Sequence, residues 1–282
     1  MVRAFAGRSG PLAVVCLAIL VLWYAGAVWL NAPVLIDGYE RRNEAWDLGR
    51  LAGDAMAMER PILPAPHQVV VELNDTVLGR AVTSKRSLVY HSWVTLSSTL
   101  LGFALGTLLG ILLAVGIVHV RTLDRSLLPW VIASQTIPIL AIAPMIVVVL
   151  GNIGFTGVLP KALISMYLCF FPVTIGMVKG LRSPDPLQRD LLRTYSASTG
   201  QLFWKLRWPA SVPFLFASLK VAIAISLVGA IVGELPTGAQ AGIGARLLAG
   251  SYYGQTVLIW AALVAAAVMA GLLIAGVGAV ER

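Results

Sequence analysis

The sequence predicts an all-α membrane protein of six transmembrane helices with cytoplasmic termini, and three observations predict it. Of 282 residues, 58% are hydrophobic and 12% charged, with a mean hydropathy of +0.85; soluble domains and disordered chains both need far more polar surface. No Asp, Glu, Lys or Arg lies between Arg8 and Asp37, Arg86 and Arg121, Arg125 and Lys161, Lys161 and Lys179, Lys220 and Glu234, or Arg246 and Glu281. These runs are continuously apolar, so they suit helices and not alternating barrel strands, and about 20 residues cross ~30 Å of hydrocarbon. Finally, the basic residues of the short loops are concentrated on one side of the spans.

The spans are expected at about residues 11 to 30, 93 to 118, 128 to 150, 158 to 178, 212 to 233 and 256 to 278. The first follows Arg3 and Arg8 and contains Ala25-Gly26-Ala27, which resembles a signal-peptide cleavage site. An uncleaved anchor is expected, because the apolar run continues past that site to Leu30. Residues 1 to 90 are then an anchor plus an extracytoplasmic segment whose polar run, Tyr39 to Arg60, predicts a helix on the membrane surface closed by Pro61, Pro64 and Pro66.

Residues 91 to 282 form a five-span core. In its first span Gly102, Gly106 and Gly110 recur every fourth residue and let another helix backbone approach closely; packing inside the subunit is expected, with a subunit interface as the alternative. The next holds Pro138 and Pro144 behind Gln135 and Thr136. A kink beside polar side chains suits a pathway lining, and packing alone accounts for it equally well. Lys220 lies about two turns into the fifth span, where it either snorkels to the cytoplasm or faces inward to neutralise Glu234 or meet a solute.

With the N terminus inside, the cytoplasmic face receives Arg121, Arg125, Lys179, Arg182, Arg189, Arg193, Lys205 and Arg207, whereas the short outer loops keep Lys161 and Arg246. The net charge of +8 is thus spent on topology, and no aromatic-interleaved basic stripe points to nucleic acid. Cys16 and Cys169 sit inside spans and the three histidines lack ligand spacing, so no metal site is expected.

The longest inner loop, residues 180 to 211, interleaves charges with Leu191, Leu192, Leu202, Phe203, Trp204, Leu206 and Trp208. Asp185-Pro186 predicts a helix N-terminus running to about Tyr195, and Ser198-Thr199-Gly200 a second. Two short helices with apolar residues read as a docking element for a soluble partner; an amphipathic segment lying on the bilayer is the alternative.

This loop resembles the coupling motif of ATP-binding-cassette (ABC) importer permeases: Glu-Ala-Ala, three residues, Gly, nine residues, Ile-x-Leu-Pro. In that register stand Asp190-Leu191-Leu192, Ser196 and Leu206-x-Trp208-Pro209, with spacing kept and Pro209 identical. Gly229-Ala230-Ile231-Val232-Gly233-Glu234, Gly242-Ile243-Gly244 and Gln135-Thr136-Ile137-Pro138 resemble the nitrate, sulfonate and taurine branch, and Gly233 to Gly238 with Ser251-Tyr252-Tyr253-Gly254 resemble permeases for pyrimidine-type compounds, thiamine precursors or riboflavin.

The resemblance implies a type I importer permease in the bacterial inner membrane, with no enzymatic activity and no cofactor. A partner ABC ATPase would bind ATP, for which the chain has no G-x-x-x-x-G-K-[ST] loop. A second permease subunit, identical or paralogous, and an extracytoplasmic solute-binding protein would complete the assembly in the lipid. Leu191, Leu192, Ala197, Phe203 and Leu206 would fill the ATPase groove, Ser196 would allow close approach ahead of Ser198, and Asp190 would meet a basic residue. Gln135, Thr136, Ser165, Tyr167, Ser226, Lys220 and Glu234 are the candidate path residues. The competing classes are a secondary transporter, against which the absence of duplicated halves argues, and a membrane scaffold without transport.

Overall fold

In lipid every peptide group must be satisfied within its own segment, which is why the apolar runs are helices. The computed structural model describes residues 9–236 and 241–282; Arg3, Arg8, Thr237 and Gly238 lie outside the described residues. In chain order the helices are α1 (Ser9–Arg42), α2 (Leu48–Ala57), α3 (Pro66–Val77), α4 (Leu88–His119), α5 (Arg121–Ala133), α6 (Ile139–Asn152), α7 (Val158–Arg182), α8 (Pro186–Thr194), α9 (Thr199–Leu202), α10 (Trp208–Gly233), α11 (Ile243–Tyr252) and α12 (Thr256–Val280). No strand occurs among the described residues. Helices α1, α4, α7 and α12, and the run Thr199–Gly233 that ends in α10, are long and apolar enough to cross a membrane. Helices α5 and α6 are apolar enough only as a pair and are bent by 97° where they meet, the geometry of a broken span or a re-entrant loop.

The chain divides into two compact units, residues 1–90 with 246–265 and residues 91–245 with 266–282. In the first unit the expected surface helix over Tyr39 to Arg60 is corrected. α1 runs on to Arg42, Asn43 turns the chain with φ 50°, and α2 starts behind Asp47, whose carboxylate accepts from Arg50 N–H at 2.9 Å. Prolines 61 and 64 keep the chain before α3 out of helix and leave peptide groups that need partners, and Pro66 opens α3 as its first residue. The fully buried Asn31 of α1 supplies them: its Oδ1 accepts from Ile62 N–H at 2.7 Å and its Nδ2 donates to Leu63 O at 3.0 Å. Trp23 Nε1 donates to Pro64 O at 2.9 Å, and its ring packs on Trp260.

In the second unit α7 is packed between α4 and α10 through missing side chains. A methyl on Gly102 would strike Ser165 Cβ, one on Gly106 would strike Cys169 Sγ, and one on Gly110 would lie 2.8 Å from Val173 Cβ. The glycine stripe of α4 therefore meets a matching four-residue stripe of α7. On the other flank, a Cβ on Gly180 would lie 2.9 Å from Phe214 Cβ and one on Gly229 2.8 Å from Ser165 Cα.

Candidate functional site

Three features of the second unit hold the candidate residues. The first is the loop after α7. Asp185 caps α8 by accepting from Leu187 N–H at 2.8 Å, ahead of Pro186. The helix has no buried residue, and Leu187 and Leu191 stand exposed. It ends where Ser196 takes φ 55°, with Ser196 N–H on Arg193 O at 2.8 Å and Ala197 N–H on Leu192 O at 3.0 Å. This left-handed position favours glycine, the residue the coupling motif carries there. Ser198 then opens α9 with a reciprocal cap to Gln201.

Residues 203–207 are π-helical and place the half-buried Phe203 against the His119 ring at 5.2 Å and against the core cluster of α4 and α7. Phe203 thus ties the loop to the core while remaining half-buried. Asp190 pairs within its own helix with Arg193 at 3.4 Å; Leu192, Ala197 and Leu206 are half-buried and Pro209 is exposed.

The second feature is the break between α5 and α6. Ser134–Thr136 form a 3-10 turn before Pro138. Gln135 and Thr136 are exposed on it, and the Tyr167 hydroxyl donates to Ser134 O. Ser165 and Ser226 are instead fully buried in the helix seam: Ser165 Oγ donates to Ser226 O at 2.8 Å and Ser226 Oγ to Thr99 O at 2.9 Å. They are spent on backbone carbonyls and offer nothing to a path.

The third feature surrounds Glu234, which is fully buried where α10 ends. Its carboxylate accepts from Thr95 Oγ1 at 2.9 Å and Gly244 N–H at 2.9 Å, and Lys161 Nζ stands 3.4 Å away. Lys161 Nζ also donates to Ala241 O at 2.9 Å, Ile243 N–H to Thr95 Oγ1 at 2.9 Å, and Gly242 N–H to His91 Nδ1 at 3.0 Å. A Cβ on Gly242 would collide with the carboxyl group and one on Gly244 would lie 2.7 Å from Glu234 Cβ, so the Gly-Ile-Gly triplet is required by close approach. Sequence reasoning missed this cluster; the available signal was that Lys161 and Glu234 are opposite charges at the same expected depth. Of the two alternatives for Lys220, the inward one in which it neutralises Glu234 does not occur, because Lys220 pairs with Glu281.

In the first unit a cavity of about 740 Å³ is lined by Glu72, Asp75, Arg80, Arg86 and Arg246 among others. Burial, reinforced by Asp75, pushes the Glu72 carboxyl up. Burial pulls the Arg246 guanidinium down, against the opposing influence of Glu72 and together with that of Arg86.

A family profile described as "Binding-protein-dependent transport system inner membrane component" matches residues 106–281. The chain belongs to this family. The permease is 33% identical over 184 residues to the formylaminopyrimidine transport permease protein ThiX of Halalkalibacterium halodurans, across 65% of this chain and 68% of the relative. It is 33% identical over 202 residues to a probable ABC transporter permease protein of Haemophilus influenzae, across 72% and 77%. To the riboflavin transport system permease protein RibX of Chloroflexus aurantiacus it is 30% identical over 192 residues, across 68% and 70%. It is thus a multi-pass inner-membrane subunit of an ABC importer, not itself catalytic, whose family implies an ATPase and a binding protein as partners.

Proposed function

We propose that two such permease subunits, identical or paralogous, enclose a path whose solute is a small uncharged heterocycle of the pyrimidine, thiamine-precursor or riboflavin kind. The relatives named for formylaminopyrimidine and riboflavin support this choice over sulfonate or taurine, for which the named relatives are 25% identical. The residues before the first span and after the last, with the α8–α9 loop, face the cytoplasm, and the segment between α1 and α4 faces the binding protein. ATP-driven closure of the ATPase pair moves the α8–α9 loops and switches the path between its two openings.

The observation that carries the coupling role is the outward face of α8. Leu187 is 77% and Leu191 58% exposed beside a tight left-handed turn at Ser196, an apolar surface that a soluble partner would cover. Leu191, Leu192, Ala197 and Leu206 make the contact, Ser196 and Pro209 let the backbones approach, Ser198 sets the second helix and Asp190 exchanges Arg193 for a basic residue of the ATPase. Gln135, Thr136 and Tyr167 line the path. Ser196→Arg keeps the backbone cost of the turn and adds bulk at the contact. In reconstituted vesicles it is expected to lower binding-protein-stimulated ATP hydrolysis at least about tenfold, the size of one interface hot spot, with normal insertion; unchanged hydrolysis overturns the docking assignment.

A further inference from the structure

We propose that the α5–α6 break is where this permease recognises its solute: Gln135 and Thr136 present an amide and a hydroxyl to a water-lined path, Tyr167 is the positioning residue that holds them there, and the matching solute group is an uncharged donor–acceptor edge such as that of an amide or amino-substituted heterocycle. The inference rests on the importer reading above and adds to it which residues select the solute and by what chemistry.

Depth is the first argument. Asp124, in the first turn of α5, pairs with Arg182 at the end of α7 at 2.8 Å, and ten residues later Ser134 O is held by the Tyr167 hydroxyl. Tyr167 lies nine residues after the start of α7 and fifteen before its end, about 14 Å and 22 Å by helical rise. α5 therefore climbs from the end of α7 to its middle third, and the break lies at membrane depth. Irregular backbone there is tolerated only against protein or lining water.

Chemistry is the second. Ser134 Oγ and Thr136 Oγ1 turn back to the carbonyls of Val131 and Ala133 at 2.7 and 2.8 Å, which stabilises the turn. Gln135 Nε2 donates to Ser134 Oγ at 3.2 Å, and among the described residues its Oε1 has no donor. The exposed carboxamide thus keeps acceptor capacity, and Thr136 Oγ1 keeps a lone pair. From Ser126 to Pro160 the sequence holds no ionisable side chain, so an anion would find no cation on this element. The second N–H of the Gln135 amide remains as a donor beside these acceptors, so an uncharged donor–acceptor edge would find both partners it needs.

The test uses the permease reconstituted with its ATPase and binding protein in vesicles, with the exposed Cys16 replaced by Ser and the buried Cys169 retained. A charged, membrane-impermeant thiol reagent is expected to modify Gln135→Cys at least about tenfold faster than Met145→Cys on the apolar face of α6. Equal or slower reaction, as a lipid-facing or subunit-buried site would give, overturns the path position. Millimolar cytosine or uracil is expected to slow the reaction of Gln135→Cys at least threefold, and benzenesulfonate to leave it unchanged. Protection by benzenesulfonate alone, or by none of the three, overturns the recognition. Tyr167→Phe is expected to abolish protection without lowering the melting temperature of the purified protein; retained protection overturns the positioning role. Loss of binding-protein-stimulated ATP hydrolysis in the unsubstituted protein would instead strike the importer reading, so the two failures are distinguishable.

Discussion

Glu234 carries no exposed surface and answers three donors at once, Thr95, Gly244 N–H and Lys161. A buried pair of this kind adds little over an apolar pair of the same shape, but removing one partner leaves a charge unpaired at a cost of about 3–5 kcal/mol. Glu234→Ala is therefore expected to lower the thermal inactivation temperature in detergent well below that of Glu234→Gln, which still accepts from Thr95 and Gly244; equal losses would mean that the charge, not the acceptor, holds the cluster. Glu72 makes a pH-dependent contribution of defined sign. Its folded pKa is raised by burial and by Asp75, so its stabilisation is complete below the unfolded carboxylate value and is lost as pH rises through the raised one. Glu72→Gln should flatten the stability of the first unit across that window, measured as hydrogen exchange of the α3 amides at pH 4 to 8, and stabilise it at the upper end. At this scale the sequence displays charges but not their partners. Lys220 and Glu281 stand 61 residues apart, Lys161 and Glu234 73, and only helix register joins them.

Local signals at single positions specify the ends of the helices. Asp185 with Pro186, and Ser198 with Gln201, state where α8 and α9 begin, because capping needs only neighbours in sequence. The stop after α8 was less legible, since a serine occupies the left-handed position at Ser196. The glycine stripe of α4 was visible as a four-residue repeat, yet its partner was not, because Ser165, Cys169 and Val173 share no property except small or branched volume. Gly106→Val is expected to abolish folded yield, since its side chain would enter the space of Cys169 Sγ and Met166 O. Gly151→Val, where a Cβ meets nothing within 4 Å, should change stability by less than about 1 kcal/mol, because glycine is itself the poorer helix former; comparable yields by size-exclusion chromatography would disprove the close α4–α7 contact. The proline at 138 announced a break, whereas its 97° magnitude is visible only in the structure.

For the whole molecule, hydropathy and the bias of Lys and Arg prescribe sidedness. With Cys16 replaced, an impermeant thiol reagent on intact cells is expected to label Leu78→Cys and to reach Leu187→Cys only after lysis; the reverse pattern would invert the orientation. The apolar spans, the two capped helices of the loop after α7 and the family itself were determined by the sequence alone, because transfer into lipid, capping and motif spacing are properties of contiguous residues. The tertiary structure decided that Phe203 packs on the His119 ring, that Ser165 and Ser226 close a seam, that Lys161 rather than Lys220 answers Glu234, and that Tyr167 holds the break at Ser134. Each of these depends on which faces of distant helices meet, and in an almost uniformly apolar chain periodicity does not mark a face: the closeness of glycine-lined backbones fixes how α4, α7 and α10 are rotated against one another, and with it the partners of their polar groups.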